Sequence, residues 1–527
     1  MRPAGRAPLR ALLALGALLP SSASRVRPSR AVPPASRLLA VPSAIDQGRV
    51  GGVHQRHSEG HTTQTCPAVR LAFPLAAAAL ATAAGLVLVF RHVRASEAAE
   101  AARTCVLLPQ FVLIMGSTIV VLDSYMLAEA AHMGPGESGQ LVGLNWLGAG
   151  LGFVSMWAAL RQRPALWKEQ PRAICVGGLC LNALGVLLYL LGARAIESGA
   201  AGEAAAVFVK GARFLGGIGQ GVVAQLMVVT VQSLTPSADM GVQMTRVFFV
   251  NTVGIGSGPV IAAGAHALTF CPPEQASFVS APAVQLIVSL GALLAVVALF
   301  PDISSEALPD QPGGEAPKPG AEEGEDLRRR RLLIMCCAVI FLLRNLVVSG
   351  VEVGTALLLE RDFGFDRRLV GFLVGATFFV AFPVRSAHQR LRERLSLLGQ
   401  FRLFAGLAAL GCLLLLRPVS LVLPHGVALL LADSVIFPCA FLADGLSYGA
   451  LMQNVFPEGS LLDKNHSALW CNLLGFGAGR LGGPWMARWH LEALGSAGQD
   501  RYALWQLLAC VAALAIFESG VKPGLKA

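Results

Sequence analysis

The chain is 527 residues long, with 54% hydrophobic and 14% charged residues, a mean hydropathy of +0.60 and a formal net charge of +10. Soluble domains carry about 25% charged residues, so this composition excludes an ordinary soluble protein and indicates a multi-pass membrane protein. The positive charge does not predict nucleic-acid binding, because lysine and arginine lie mainly at the ends of apolar runs, where they set membrane topology. The eleven cysteines form no CxxC pair, and we expect no metal site, cofactor or disulfide.

Residues 1–103 form a leader ahead of the membrane core. Its start has the form of a secretory signal, with an apolar segment at 11–19. An acid-poor spacer rich in Arg, Ser and Pro follows, and then a second apolar segment at 71–90, about 20 residues long and able to span a bilayer. This order resembles the multipartite plastid-targeting leaders of algae with complex plastids, which implies the plastid envelope. The alternative is a signal anchor, with a vacuolar or other endomembrane location.

The core carries twelve apolar runs of about 18–25 residues, the length that a helix needs to cross a bilayer. A polar segment at 302–331, rich in Pro, Gly and Glu, predicts a flexible linker between two six-helix halves at 104–301 and 332–519, with a tail at 520–527. The fold class is therefore an all-α membrane protein with twelve transmembrane helices in two pseudo-repeats. The predicted spans are 104–127, 138–160, 173–193, 204–231, 243–266, 279–300, 332–356, 368–387, 399–416, 424–450, 464–487 and 500–518.

Short internal repeats support this division into halves. The tripeptide Leu-Val-Gly of span two recurs in span eight, and a Gly-xxx-Gly-Pro motif of span five recurs in span eleven at nearly the same offset. Glycine allows helices to approach closely and proline bends a helix, so we interpret the second motif as a gating element. The alternative is a packing kink without motion. The motif residues are Gly254, Gly258 and Pro259 in span five, and Gly479, Gly483 and Pro484 in span eleven.

Three motifs resemble the major facilitator superfamily across about residues 104–518. The segments 122–134 and 139–143 are similar to the family's first helix, its exit loop and the start of its second helix. The run Arg-Phe-Leu-Gly-Gly-Ile-Gly from Arg213 is similar to the family's fourth-helix motif. The Gly-Pro element of span five is similar to its fifth-helix motif. The layout is nearest the vacuolar and lysosomal branches. The loop at 157–171 departs from the family's pattern. It keeps positive charge but lacks the Asp and Gly of the motif that the family usually carries between its second and third helices, where charged residues hold the cytosolic gate closed. The resemblance implies transport by alternating access.

Three arginines lie deep within predicted spans. Arg213 is followed seven residues later by Gln220, which falls on the same helix face. Together with Arg344 and Arg480, these side chains predict an anion-binding cavity, because guanidinium groups suit carboxylate and phosphate. The alternative is internal ion pairing with Asp433 and Asp444, which lie eleven residues apart on one face of span ten.

Four acids within the predicted spans are candidates for proton coupling. Asp123 and Glu352 lie at nearly equivalent positions of spans one and seven, and Asp433 and Asp444 lie in span ten. A low-dielectric surrounding favours the neutral form of a carboxyl group, which suits a proton carrier. The alternative for Asp123 and Glu352 is that both lie near a helix end and reach interfacial water.

We therefore predict a secondary active transporter of a small solute, with an anion favoured and proton coupling left open. The expected partners are the lipid bilayer, the solute and protons, with no nucleic acid, and the chain is expected to act as a monomer. The sequence shows no Ser/His/Asp arrangement of the kind that would predict an enzyme. His388, His466 and His490 stand singly near span ends, where we expect them to be solvated. The alternative function is a non-transporting membrane receptor or assembly scaffold that keeps the transporter fold.

Overall fold

The computed structural model describes residues 71–134, 136–199, 202–236, 239–270, 277–301, 324–456 and 460–524. The signal-like segment 11–19, the first part of the linker (302–323) and residues 525–527 lie outside this range. The described backbone is almost entirely helical. The helices, numbered in chain order, are α1 Ala72–Ala95, α2 Ala98–Thr118, α3 Val121–Ala130, α4 Glu137–Gln162, α5 Pro171–Glu197, α6 Glu203–Ser233, α7 Met240–Leu268, α8 Ser280–Leu299, α9 Gly324–Arg361, α10 Arg367–Phe379, α11 Ala381–Leu391, α12 Leu397–Leu413, α13 His425–Gln453, α14 Lys464–Cys471 and α15 Arg480–Ile516, with short helical turns at Leu166–Glu169, Arg417–Leu421 and Lys522–Gly524.

The all-helical membrane fold is confirmed for the described residues. Eleven helical spans of the described residues are long and apolar enough to cross a membrane; ten belong to the core and the other is α1. The ninth core span is the shorter α12. The eleventh is α14, a π-helical segment Asn472–Gly479 and the first part of α15. Helices dominate because a bilayer offers no partner for free backbone groups.

Several spans differ from the predicted ones at their boundaries. The first span begins at Ala98 rather than 104, because alanine-rich sequence extends the helix beyond the apolar run, and it is interrupted by a turn at Ile119 and Val120. Helix α9 begins at Gly324, so the arginine run at the end of the predicted linker is helical. The chain turns inside α15 at Gly495, whose φ of 56° favours glycine, and this turn separates spans eleven and twelve.

Glycines set the closest helix contacts in the first half. Gly217 and Gly221 follow Arg213 by one and two helical turns and lie against the backbone carbonyls of Asn145 and Ala149 in α4. A side chain at either position would displace α4. The fourth-helix motif therefore brings α6 and α4 into backbone contact.

The apolar segment of the leader forms α1, which packs on the outside of the bundle. Thr82 lies against Gly291 of α8, and Ala78 contacts Ala265 and Val284. Its other face is exposed, as at Leu80. The segment is thus a packed helix at the lipid-facing surface of the first half.

We call the end of the bundle that carries the arginine-rich loops the basic end. Those loops lie at 161–172 and 390–394, and the arginines at 328–331, in the first turns of α9, lie at the same end. Helices α4 and α11 connect to these loops, and α2 and α7 begin at the same end. The far end of the bundle is called the opposite end.

Candidate substrate site and gates

Arg480 lies at the interface of the two halves, deep in the bundle. Its Nε donates to Oδ1 of Asn345 at 3.2 Å, and its Nη1 lies 3.9 Å from Oε2 of Glu352. The guanidinium group sits over the ring of Trp146, which belongs to the first half, at 4.8 Å. Arg480 is 1% exposed and Glu352 is 1% exposed. Arg480 therefore joins α15 to residues of both halves.

The pair of Arg480 and Glu352 is incompletely satisfied. Nη2 of Arg480 and Oε1 of Glu352 have no hydrogen-bond partner within the described residues. Buried polar groups are normally hydrogen-bonded, so unpaired atoms at such a position need an explanation. The arrangement provides one donor edge for an anion and one carboxylate that can accept a proton.

The local sequence explains how Arg480 reaches this position. It follows the π-helical segment, where Gly475 lies against the ring of Phe341 and Gly479 lies against the carbonyl of Leu342. These glycines allow the eleventh span to touch α9, which carries Glu352 and Asn345. Single π-helical turns occur frequently at functional sites.

Arg344 and Asp444 form a buried ion pair between α9 and α13. Nε of Arg344 lies 2.8 Å from Oδ1 of Asp444, and Nη2 donates to the carbonyl of Cys439 at 3.3 Å. Eleven residues further along α9, Thr355 donates its hydroxyl to Oδ1 of Asp433 at 3.0 Å. Both aspartates of span ten thus face α9. Oδ2 of Asp433 has no hydrogen-bond partner among the described residues.

Arg213 has a different environment from the other two arginines. It donates to the carbonyls of Leu141, Gly116 and Ser117 at 3.2, 3.2 and 2.7 Å, and the ring of Tyr189 lies 5.8 Å away. No carboxylate of the described chain lies within ion-pair distance. The last carbonyls of a helix lack partners within that helix, and two of these acceptors end α2 beside its break. Arg213 therefore stabilises the interrupted first span.

Gln220 lies beside the central site. Its Oε1 accepts from Nδ2 of Asn145 at 2.5 Å, and its Nε2 has no partner in the described structure. Asn145 directly precedes Trp146, the residue that covers Arg480. Gln225, further along α6, accepts from Asn472 at 2.8 Å and so joins the halves.

The opposite end is closed by a charged cluster around Asp123. Nε2 of His266 lies 2.9 Å from Oδ1 of Asp123, and Nδ1 of His266 lies 3.0 Å from the hydroxyl of Ser280. Nη1 of Arg367, in the second half, lies 3.6 Å from Asp123, and its Nε lies 3.5 Å from Glu360. This cluster, which we call the outer latch, connects five helices of the two halves.

The basic end is also closed, by contacts between α4, α6 and α14. The ring of Trp157 meets that of His466 edge to face at 5.2 Å. Lys464 donates to the carbonyl of Gln232 at 2.9 Å. An aromatic contact thus joins the halves near the loop that lacks the family's Asp and Gly.

The two Gly-xxx-Gly-Pro elements make equivalent contacts. Gly254 and Gly258 of α7 lie against α2, where the Thr118 hydroxyl also donates to the Ile255 carbonyl at 3.0 Å. Gly479 and Gly483 lie against α9, which occupies the corresponding place in the second half. Pro259 and Pro484 are inside their helices.

Sequence reasoning did not find four residues of these clusters. They are Trp146, His266, Asn345 and Arg367. Each lies in or beside an apolar run with no motif around it, and its importance comes from a partner more than 50 residues away. A tryptophan in the middle of a span, next to an asparagine, is the one local signal that was present.

Comparison with known proteins gives one family and a set of distant structures. Residues 106–460 match the Major Facilitator Superfamily. The fold resembles the human organic anion transporter MFSD10 (TETRAN), at 16% identity and a TM-score of 0.50, over 79% of this chain and 100% of that one. It also resembles a bacterial homologue of the iron transporter ferroportin in its inward-facing state, at 16% identity and a TM-score of 0.50, over 80% and 98%.

A third similar structure is the xylose transporter XylE from E. coli in a partially occluded inward-open conformation, at 14% identity and a TM-score of 0.53, over 79% and 97%. At these identities the structures share a fold and nothing further follows about the solute. Curated protein sequences give no significant match.

Proposed function

The chain belongs to the Major Facilitator Superfamily, and we propose that it is a secondary transporter that moves a small anion together with a proton. The observation that carries the proposal is the buried pair of Glu352 and Arg480. Glu352 lies 3.9 Å from Arg480, and each residue has one unpaired atom. An anion can therefore compete with Glu352 for the guanidinium group of Arg480. The anion binds Arg480 and the proton binds Glu352.

The coupling follows from the cost of an unpaired buried charge, which is several kcal/mol in a low-dielectric interior. With Glu352 ionised, its charge balances Arg480 and an added anion would be in excess. With Glu352 protonated, Arg480 lacks a counter-charge and an anion supplies one. The site is therefore expected to bind the proton and the anion together or to bind neither, rather than to bind one of them alone.

The neighbouring residues support this division of roles. Arg344 already has Asp444 as its counter-charge, and Arg213 is held by backbone carbonyls. Of Arg344 and Arg480, Arg480 has the more distant counter-charge, at 3.9 Å against 2.8 Å. Asp433, with one free oxygen, is a second candidate for carrying a proton.

In the transport cycle the halves rock about this site. Opening of the opposite end separates Asp123 from Arg367, and opening of the basic end separates Trp157 from His466. The Gly-xxx-Gly-Pro elements keep α7 against α2 and the eleventh span against α9 during this motion. The site lies within one chain, so a monomer suffices.

Uptake by reconstituted protein tests the role of Arg480. We expect wild-type proteoliposomes to take up one or more of phosphate, succinate and citrate in preference to a neutral sugar. Arg480→Gln should lower this uptake by about tenfold or more, because a hydrogen bond to a charged group is lost at the site. Arg163→Gln, an exposed change at the basic end, is the matched control.

Two results would overturn the proposal. Equal anion uptake by wild type and Arg480→Gln removes Arg480 from the site. Ligand binding without uptake of any solute favours the receptor alternative.

The plastid envelope is the proposed compartment, on the composition of residues 1–103. The packing of α1 on α8 supports retention of the segment 71–90 after any cleavage of the signal-like part. A fluorescent fusion to residues 1–103 tests this: we expect plastid import, and retention in the endoplasmic reticulum or delivery to the vacuole would contradict it.

A further inference from the structure

A second site lies at the basic end, away from Arg480. It is a cavity of about 320 Å³ between α7 of the first half and α11, α12 and α13 of the second. Small-molecule sites have volumes of about 300–1,000 Å³, so the cavity can hold a small ligand. Its polar lining includes Thr245, Arg385, His388, Arg392, Gln400 and Gln453.

The cavity carries an excess of positive charge. Arg385 is half-buried, and its guanidinium group lies 4.2 Å from the centre of the Phe249 ring, which fixes its position. Neither Arg385 nor Arg392 forms an ion pair with a carboxylate of the described chain. Asp239 is the one acidic residue in the lining. The nearby Arg246 is already paired with Glu100 at 2.7 Å.

His388 is held in a defined orientation at the wall of the cavity. Gln400 donates its amide to the carbonyl of Leu395 at 2.7 Å, so its Oε1 faces Nε2 of His388 at 2.9 Å. Nε2 must then carry the hydrogen, and the ring forms a fixed part of the wall beside the two arginines.

We propose that this cavity is a second anion site, which holds a phosphate or carboxylate group between Arg385 and Arg392. Guanidinium groups bind such oxyanions through charge-assisted hydrogen bonds. The walls come from both halves, so a bound anion connects α7 to α11 and stabilises the closed basic end. The group belongs to a soluble anion or to the headgroup of an anionic lipid.

Thermal stability of the purified full-length protein tests this site. Inorganic phosphate is titrated in phosphatidylcholine nanodiscs, and the melting temperature is compared with that in nanodiscs containing phosphatidylglycerol. Arg385→Gln and Arg392→Gln should each weaken the stabilisation by about tenfold in apparent affinity. Arg390→Gln, an exposed change on the same helix outside the cavity, should leave it unchanged.

Each outcome decides between the possibilities. Stabilisation by phosphate that depends on Arg385 identifies a soluble anion, and stabilisation only by phosphatidylglycerol that depends on Arg385 identifies a lipid headgroup. Arg480→Gln is measured in parallel and should retain the effect, which separates this site from the transport site. The proposal is overturned if neither probe stabilises the wild type, or if the effect survives Arg385→Gln and Arg392→Gln.

Discussion

The three arginines that the sequence predicts to lie deep differ in what neutralises them. Arg344 has a carboxylate at 2.8 Å, Arg213 has three backbone carbonyls, and Arg480 has a carboxylate at 3.9 Å with one amide oxygen. A charge already satisfied by the protein gains little from a ligand, whereas an under-satisfied one gains much. This difference is why we assign substrate binding to Arg480.

Arg213→Gln should lower stability without changing solute selectivity. The substitution removes charge-assisted hydrogen bonds to the carbonyls at the break of α2, and each such bond contributes about 1.5–3 kcal/mol. The melting temperature should fall, while the ratio of anion to sugar uptake per folded molecule stays unchanged. An unchanged melting temperature with lost anion uptake would instead place Arg213 at the substrate.

The candidate site was partly predictable at this scale. Arginines and acids inside apolar runs are visible in any hydropathy analysis, and their depth marks them as functional candidates. Their partners are not visible. The carbonyls that hold Arg213 exist because α2 is interrupted at Ile119, and no residue pattern marks that turn. The pairing of Arg344 with Asp444 is one of the alternatives that the sequence leaves open. Arg344 and Thr355 on α9 are eleven residues apart, as are Asp433 and Asp444 on α13, so both aspartates find a partner on α9.

Helix contacts in this protein depend on a few glycines at fixed spacing. In α7, an added Cβ at Gly258 would meet the Thr118 hydroxyl and the Met115 carbonyl of α2, whereas one at Gly264 would meet no atom within 4 Å. The two glycines lie on one helix and differ in what faces them, and Gly258 also precedes Pro259. They therefore form a matched pair for testing the close contact.

Gly258→Ala should destabilise the protein by about 1–3 kcal/mol, the usual cost of overpacking, and should slow transport. Gly264→Ala should be neutral or slightly stabilising, because alanine favours helix. Melting temperature and initial uptake rate measure both effects. Equal behaviour of the two variants would show that α7 does not depend on this contact.

At the scale of elements, length and hydropathy predicted most of the fold. The exceptions have physical causes. The twelfth span continues from the eleventh without a loop because only Gly495 leaves the helical region. The π-helical segment lies where Gly475 and Gly479 meet α9. Such features depend on tertiary contacts that a single sequence does not contain.

Across the whole molecule, both ends of the bundle are closed around the central pair. The outer latch of Asp123, His266 and Arg367 joins the halves at one end, and Trp157 with His466 joins them at the other. The repeated motifs predicted two related halves. They did not predict which residues meet between them, since that depends on how the halves are placed against each other.

The two proposed anion sites have separate roles in the cycle. The central pair binds the transported anion and the proton, and the cavity at Arg385 links α7 to α11 only while the basic end is closed. Release of that second anion would thus accompany opening of the basic end.

The most direct test of proton coupling is anion uptake into proteoliposomes with and without an imposed pH gradient, for wild type and Glu352→Gln. A neutral glutamine imitates the protonated carboxyl group. We predict that an inward proton gradient accelerates wild-type uptake, and that Glu352→Gln exchanges anions at equal pH but no longer responds to the gradient. Glu169→Gln, an exposed change at the basic end, should respond like wild type. A response of Glu352→Gln equal to that of wild type, or a wild type that ignores the gradient, would contradict the account.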